Sequence, residues 1–128
     1  MVNEAYVSFE TAKLLKGLKF DSTSDFLYSE DGKLGLLYVG KCNNLDRDLA
    51  DENYTAPTQS LVMKWLRDTH RWFIRIAWTF TDASKTKVTW SYDIDSLDGG
   101  VDIIGTNWFE SYEEAVENAI KYCLENLI

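Results

Sequence analysis

The sequence predicts an α+β domain with two layers, an antiparallel sheet of four to five strands packed against helices in the order α-β-β-α-β-β-α. Three observations carry that expectation. Residues Leu61–Thr69 repeat with helical period, Trp72–Ile94 repeats with period two around a polar turn, and the C-terminal segment opens with a capping signal and continues as an apolar stripe. An antiparallel sheet must bury one face, and helices on that face give the two-layer arrangement.

Each element follows from its residues. Ser8 can cap a first helix in which Phe9, Ala12, Leu15 and Leu18 share one arc while Glu10, Lys13 and Lys16 face water, with the acid early and the lysines late as the helix dipole prefers. Asp25–Ser29 and Leu34–Gly40 flank Glu30-Asp31-Gly32-Lys33, and Asp31-Gly32 reads as a two-residue type I′ turn, in which both positions take positive φ. Asn43–Asn53 is a polar connection without periodicity. The second helix is expected to begin near Pro57, whose missing N–H suits a first turn, with Thr55 or Thr58 as cap. Leu61, Val62, Trp65, Leu66 and Thr69 form its core face, opposite Ser60, Lys64, Arg67, Asp68 and Arg71.

After His70, Trp72, Ile74, Ile76, Trp78 and Phe80 alternate with Phe73, Arg75, Ala77, Thr79 and Thr81, and Val88, Trp90, Tyr92 and Ile94 alternate on a second strand. The five-residue connection Asp82–Thr86 sets Trp78 opposite Trp90 and Arg75 opposite Asp93. The tryptophans at period two read as core, which puts the cost of Trp78→Ala at about 3–5 kcal/mol. Asp98-Gly99-Gly100 turns into a short strand at Val101–Ile104. Ser111 and Glu114 form a capping box for the last helix, whose stripe runs through Tyr112, Val116, Ala119, Ile120, Cys123, Leu124 and Leu127. Two consecutive helix-hairpin units suggest an internal duplication, with Ala12–Lys16 and Met63–Arg67 aligning loosely.

Composition bounds the function. A chain of 128 residues, 45% hydrophobic with one proline, is expected to fold as a single globular domain, 1–128, with a real core. No apolar run approaches the roughly 18 residues of a membrane span, and Met1–Tyr6 lacks a signal pattern, so a soluble cytoplasmic protein without a membrane partner is expected. Cys42 and Cys123 make no disulfide framework and read as reduced thiols, so the Asn53-Tyr54-Thr55 sequon carries no weight.

No catalytic constellation stands out. His70, at a helix end, has no neighbouring nucleophile and reads as a capping or surface residue. Asp46, Asp48, Asp51 and Glu52 lack the glycine and distal glutamate of a calcium loop, and Asp93, Asp95 and Asp98 are spaced as strand end plus turn. Neither a catalytic residue, a metal site nor a cofactor is expected, and a non-enzymatic protein is the preferred reading.

Charge has the one functional edge. Thirteen cations against twenty-one acids give −8, which opposes general nucleic-acid affinity. Over residues 58–75, Lys64, Arg67, Arg71 and Arg75 against Asp68 give +3, leaving nine cations against twenty acids, or −11, elsewhere. The stripe reads either as the solvated face of an amphipathic helix or as a partner-binding site at Lys64, Arg67, Arg71 and Arg75.

Tyr6-Val7-Ser8-Phe9-Glu10-Thr11-Ala12-Lys13-Leu14-Leu15-Lys16, Ala56-Pro57-Thr58-Gln59-Ser60-Leu61-Val62-Met63-Lys64-Trp65-Leu66-Arg67 and the closing Tyr112-Glu113-Glu114-Ala115 together resemble a family of small uncharacterised proteins of gut Bacteroidetes and their phages or prophages. The resemblance implies a cytoplasmic protein of a mobile element or its host, with a small acidic binding role and no catalytic residue to carry over. Three functions remain open: an acidic protein-interaction module, such as a phage accessory or inhibitor protein, with a host or phage protein as partner; a nucleic-acid-associated protein using the basic stripe; and a small-molecule binder or enzyme with a pocket between sheet and helices near Tyr6, Tyr38, Tyr54 and Tyr92. Net charge and the absent active site favour the first.

Overall fold

The computed structural model describes residues 4–21, 24, 26–36 and 53–128. The chain divides into two units, Met1–Gln59 and Ser60–Ile128. The α+β class and the antiparallel pairing agree with the sequence, but in place of one sheet of four to five strands there are two sheets of three. The reason is local. Each hairpin takes a short third strand from its own unit: the strand expected at Val101–Ile104 is present over Asp102–Ile104, whereas the two-residue strand Tyr54–Thr55 is too brief to show a period in the sequence.

In the first unit, α1 (Phe9–Gly17) starts where expected, with the Ser8 hydroxyl accepting the Thr11 N–H at 3.2 Å. It ends in a Schellman turn without glycine: Lys19 takes a φ of 60°, the Phe20 N–H reaches the Leu15 carbonyl, and Phe20 is fully buried beneath it. The strands β1 (Phe26–Tyr28), β2 (Leu34–Leu36) and β3 (Tyr54–Thr55) lie in the order β2-β1-β3. The Phe9 ring meets those of Tyr28 and Tyr54, and the Tyr28 hydroxyl donates to the Val7 carbonyl at 2.6 Å.

The Asp31-Gly32 turn differs from type I′. Among its residues only Gly32 has positive φ, the Gly32 N–H bonds the Ser29 carbonyl, and the Ser29 N–H bonds the Lys33 carbonyl. This is a tight turn closed by a left-handed glycine bulge, so Asp31 stays in an ordinary conformation. Pro57 also differs: it is buried ahead of the next helix, with its carbonyl accepting the Val7 N–H, and Thr58 bridges to Tyr6. The remaining expectations for 37–52, including Tyr38, Cys42 and the acidic run, lie outside the described residues.

The second unit contains α2 (Gln59–Thr69) from its second residue onward, β4 (Trp72–Phe80), β5 (Val88–Ser96), β6 (Asp102–Ile104) and α3 (Tyr112–Asn126), with strand order β4-β5-β6. The hairpin register is the expected one over nine pairs, including Trp78 with Trp90 and Arg75 with Asp93. Its turn is organised by Asp82, whose carboxylate accepts the Thr86 and Lys87 N–H groups and the Ser84 and Thr86 hydroxyls. Those bonds hold the Asp82 carboxyl far below the usual carboxylate range, the Thr86 hydroxyl contributing most.

The Ser111 hydroxyl caps α3 by accepting the Glu114 N–H at 3.1 Å, while the Glu114 carboxylate returns to the N–H of Glu110. Ala115, Val116, Ala119, Ile120, Cys123 and Leu124 form its buried stripe. The helix covers one sheet face, where Ile74 and Ile94 pair and are buried and where the Trp90 ring meets Tyr112. The two helices match at the proposed repeat offset, but the central strand is the first of its unit in one sheet and the second in the other. A duplication would keep that order. Among the described residues, no helix is long and apolar enough to cross a membrane.

Candidate protein-interaction surface

The four cations singled out from the sequence do not make one open basic surface. Lys64 and Arg67, on α2, both turn to Asp68, which lies at 3.5 Å from Arg67; the hydrogen bond from Lys64 does most to hold the Asp68 carboxyl low. Arg71, at the α2–β4 junction with a φ of 64°, pairs with Asp98 at 3.2 Å and reaches the Leu97 carbonyl. Arg75, in mid-β4, lies on the opposite sheet face from α3 and is clasped by Asp95 at 2.7 Å, Asp93 at 3.7 Å and Asp102 at 3.9 Å. With the five carboxylates they touch, four positive charges against five negative, the cations sum to −1.

Within the clasp, Asp95 and Asp102 face each other across β5 and β6 and share a hydrogen bond, so Asp102 holds its proton to higher pH than an ordinary carboxyl while the Asp95 carboxyl is pulled down. Among the described residues no group of histidine, cysteine and acidic side chains has the arrangement to hold a metal ion. His70 sits edge-on to the Trp65 ring at 4.5 Å. Cys123 is a buried free thiol, pushed up to about 12 by burial. Of the tyrosines considered as pocket walls, Tyr6 and Tyr54 belong to the first unit and Tyr92 to the second, while Tyr38 lies outside the described residues.

The feature that sequence reasoning missed lies on the hairpin. Even-numbered residues of β4 and β5 share the face that α3 covers, but they are not equally buried along it. Ile94 is fully buried and Ile74 nearly so, Ile76 and Tyr92 are half-buried, and Trp78 is 56% exposed, with Phe80 at 39% and Val88 at 40%. Trp78 is therefore not a core residue. Nine-residue strands run about 30 Å while a fifteen-residue helix runs about 22 Å, so a crossing α3 leaves one end of the hairpin bare. That comparison of lengths was available in the sequence.

The bare end carries an aromatic strip. The Trp78 and Phe80 rings meet edge to face at 5.2 Å, Trp78 pairs with Trp90 across the strands, and the Trp90 ring meets Tyr112 at 5.7 Å. Tyr112 is 43% exposed, so the strip opens to water at both ends. The exposed acids Glu110, Glu113 and Glu114 flank the Tyr112 end, and Lys85 and Lys87 stand near the hairpin tip. Isolated surface apolar residues need no explanation, but a contiguous run of aromatic rings marks contact surfaces. The chain matches no family model, no curated protein and no solved structure.

Proposed function

We propose that this protein is a non-enzymatic protein-interaction module whose contact surface is the strip Phe80, Trp78, Trp90 and Tyr112. The observation that supports it is the exposure of Trp78 and Phe80 side by side on a hairpin whose other end is well packed. Tryptophan and tyrosine are the side chains that most often dominate binding energy, because they bring large area at low entropic cost and a polar tip that finds a partner. The partner is a protein with an apolar anchor for the Trp78–Phe80 corner and basic side chains toward Glu110, Glu113 and Glu114, in keeping with the net charge of −8. A cytoplasmic host or phage protein fits the family resemblance, and an accessory or inhibitor role needs no catalytic residue or cofactor.

The test compares affinity capture by the unmodified protein and by the double variant Trp78→Ser, Phe80→Ser, from nuclease-treated host and infected-host lysates. A specific protein should be retained by the first and lost by the second, with the variant's circular dichroism unchanged. Capture of one protein equally by both, capture that nuclease abolishes, or no capture from either lysate overturns the reading.

A further inference from the structure

The backbone of β4 carries information that its side chains do not. In β5, the Trp90 N–H and carbonyl both bond Phe109, the Tyr92 carbonyl accepts from Gly105, and the Ser96 N–H reaches Val101. Even-numbered residues of β5 therefore turn their polar groups away from β4, and the odd-numbered residues form the β4–β5 ladder, as the bonds from Leu97 to Arg71 and from Thr81 to Lys87 extend it. It follows that Trp72, Ile74, Ile76, Trp78 and Phe80 direct their N–H and carbonyl groups to the outer edge of β4. No described strand pairs with that edge.

Such an edge is normally guarded by proline, a bulge, a short strand or outward charge. Here the nine residues pair without a bulge, contain no proline, and carry one charge, Arg75, drawn toward β5 and β6 by Asp93, Asp95 and Asp102. The side chain that should defend the edge leans away from it.

We infer that β4 pairs antiparallel with β4 of a second copy, with Ile76 on the two-fold axis. This register matches the whole strand to itself. Ile74 stands opposite Trp78 and Trp72 opposite Phe80 on the face that carries the aromatic strip, and Arg75 stands opposite Ala77 on the other. Each of the five outward-facing residues meets an outward-facing residue of the second copy, so every pair exchanges both of its hydrogen bonds. A shift of two residues in one direction sets Arg75 against Arg75, and in the other leaves Trp72 and Phe73 without strand partners. The product is a closed six-stranded sheet, β6-β5-β4 continued by β4-β5-β6 of the second copy. Its outer edges are the three-residue β6 strands, so pairing stops at two. The contact lies in the plane of the sheet and leaves the ring faces of the strip outward, which makes it independent of the proposed partner binding.

The experiment is sedimentation of the full chain from about 1 to about 300 µM, because dimer population follows protomer concentration. The mass should rise from 14.8 kDa toward twice that value. Over the same range, amide exchange at Trp72, Ile74, Ile76, Trp78 and Phe80 should slow at least about tenfold, while Phe73, Arg75, Ala77 and Thr79, already in the ladder, stay unchanged. Ile76→Pro removes an outward N–H without touching a bond to β5 and should stay monomeric, whereas Ile76→Ala keeps the N–H and should still dimerise. A mass that stays at 14.8 kDa throughout, a dimer whose even-numbered amides remain unprotected, or a folded Ile76→Pro variant that dimerises like the unmodified protein overturns the inference. Should Ile76→Pro fail to fold, the exchange pattern decides alone.

Discussion

Replacing Trp78 by alanine separates the two readings of the hairpin. With 56% of the residue in water, 44% is sheltered. Taking about 200 Å² for a large aromatic side chain, the sheltered part is roughly 90 Å², worth about 2 kcal/mol at ~25 cal/mol/Å². This is an upper bound, because the unfolded chain already hides part of that area, so a loss of about 1–2 kcal/mol is expected. Ile94, fully buried on the same face, sets the scale: Ile94→Ala should cost about 2–5 kcal/mol through lost transfer energy and the cavity left under α3. Urea unfolding of both variants, with equal slopes to exclude a change in the unfolded state, gives the comparison. A Trp78→Ala loss as large as that of Ile94→Ala would mean the ring is packed against something, and the strip would lose its claim to be a contact surface.

Three further outcomes follow from local geometry. A β-carbon at Gly105 would stand 2.5 Å from the Tyr92 carbonyl, whose oxygen accepts the Gly105 N–H, so Gly105→Ala should cost about 1–3 kcal/mol by forcing β5 and its neighbour apart, measured as a fall in the urea midpoint. Asp82 has a lowered pKa when folded, so its contribution is complete above the unfolded value near 4 and is lost as pH falls below that toward the folded value. Asp82→Ala should therefore lower the thermal midpoint at pH 7, and the gap to the unmodified protein should close on acidification below about pH 4. Cys123, with its thiol pushed up to about 12 and its side chain buried, should react with a disulfide reagent at pH 8 only after urea unfolding in a Cys42→Ser background; immediate reaction of the folded protein would contradict its placement.

Elements whose signals sit within a few residues were legible. Ser8 and Ser111 cap the helices they were expected to cap, and the alternation of Trp72–Phe80 with Val88–Ile94, together with the length of the Asp82–Thr86 turn, was sufficient for the register, which Asp95 and Ser96 continue by two further pairs. Expectations failed where the answer depended on how far one element reaches over another. Period two shows that Trp78 and Ile74 share a face, and the same pattern cannot show that α3 stops between them. Tyr54–Thr55 carries no alternation at all, so its joining of β1 was invisible. The basic stripe was read from the charge count over residues 58–75, with only Asp93 placed opposite Arg75 by the hairpin register. Its partners Asp98, Asp95 and Asp102 come from β5, β6 and the turn between them, about 20 to 30 residues away, and only the folded sheet brings them to Arg71 and Arg75.

The clasp around Arg75 has a mechanical side. Hydrogen bonds join neighbours only, β4 to β5 and β5 to β6, but the guanidinium reaches from the first strand over the second to Asp102 on the third. It acts as a tie across the weave. β6 holds to β5 by three residue pairs, few enough that it would otherwise peel away alone, and the tie makes its departure also the loss of an ionic contact on β4. The link is exposed to solvent ions, so added salt slackens it while leaving the ladders intact. Loosening should begin at Asp102–Ile104 and travel inward, and the ionic strength of the solution sets how readily that outer strand lifts from the sheet.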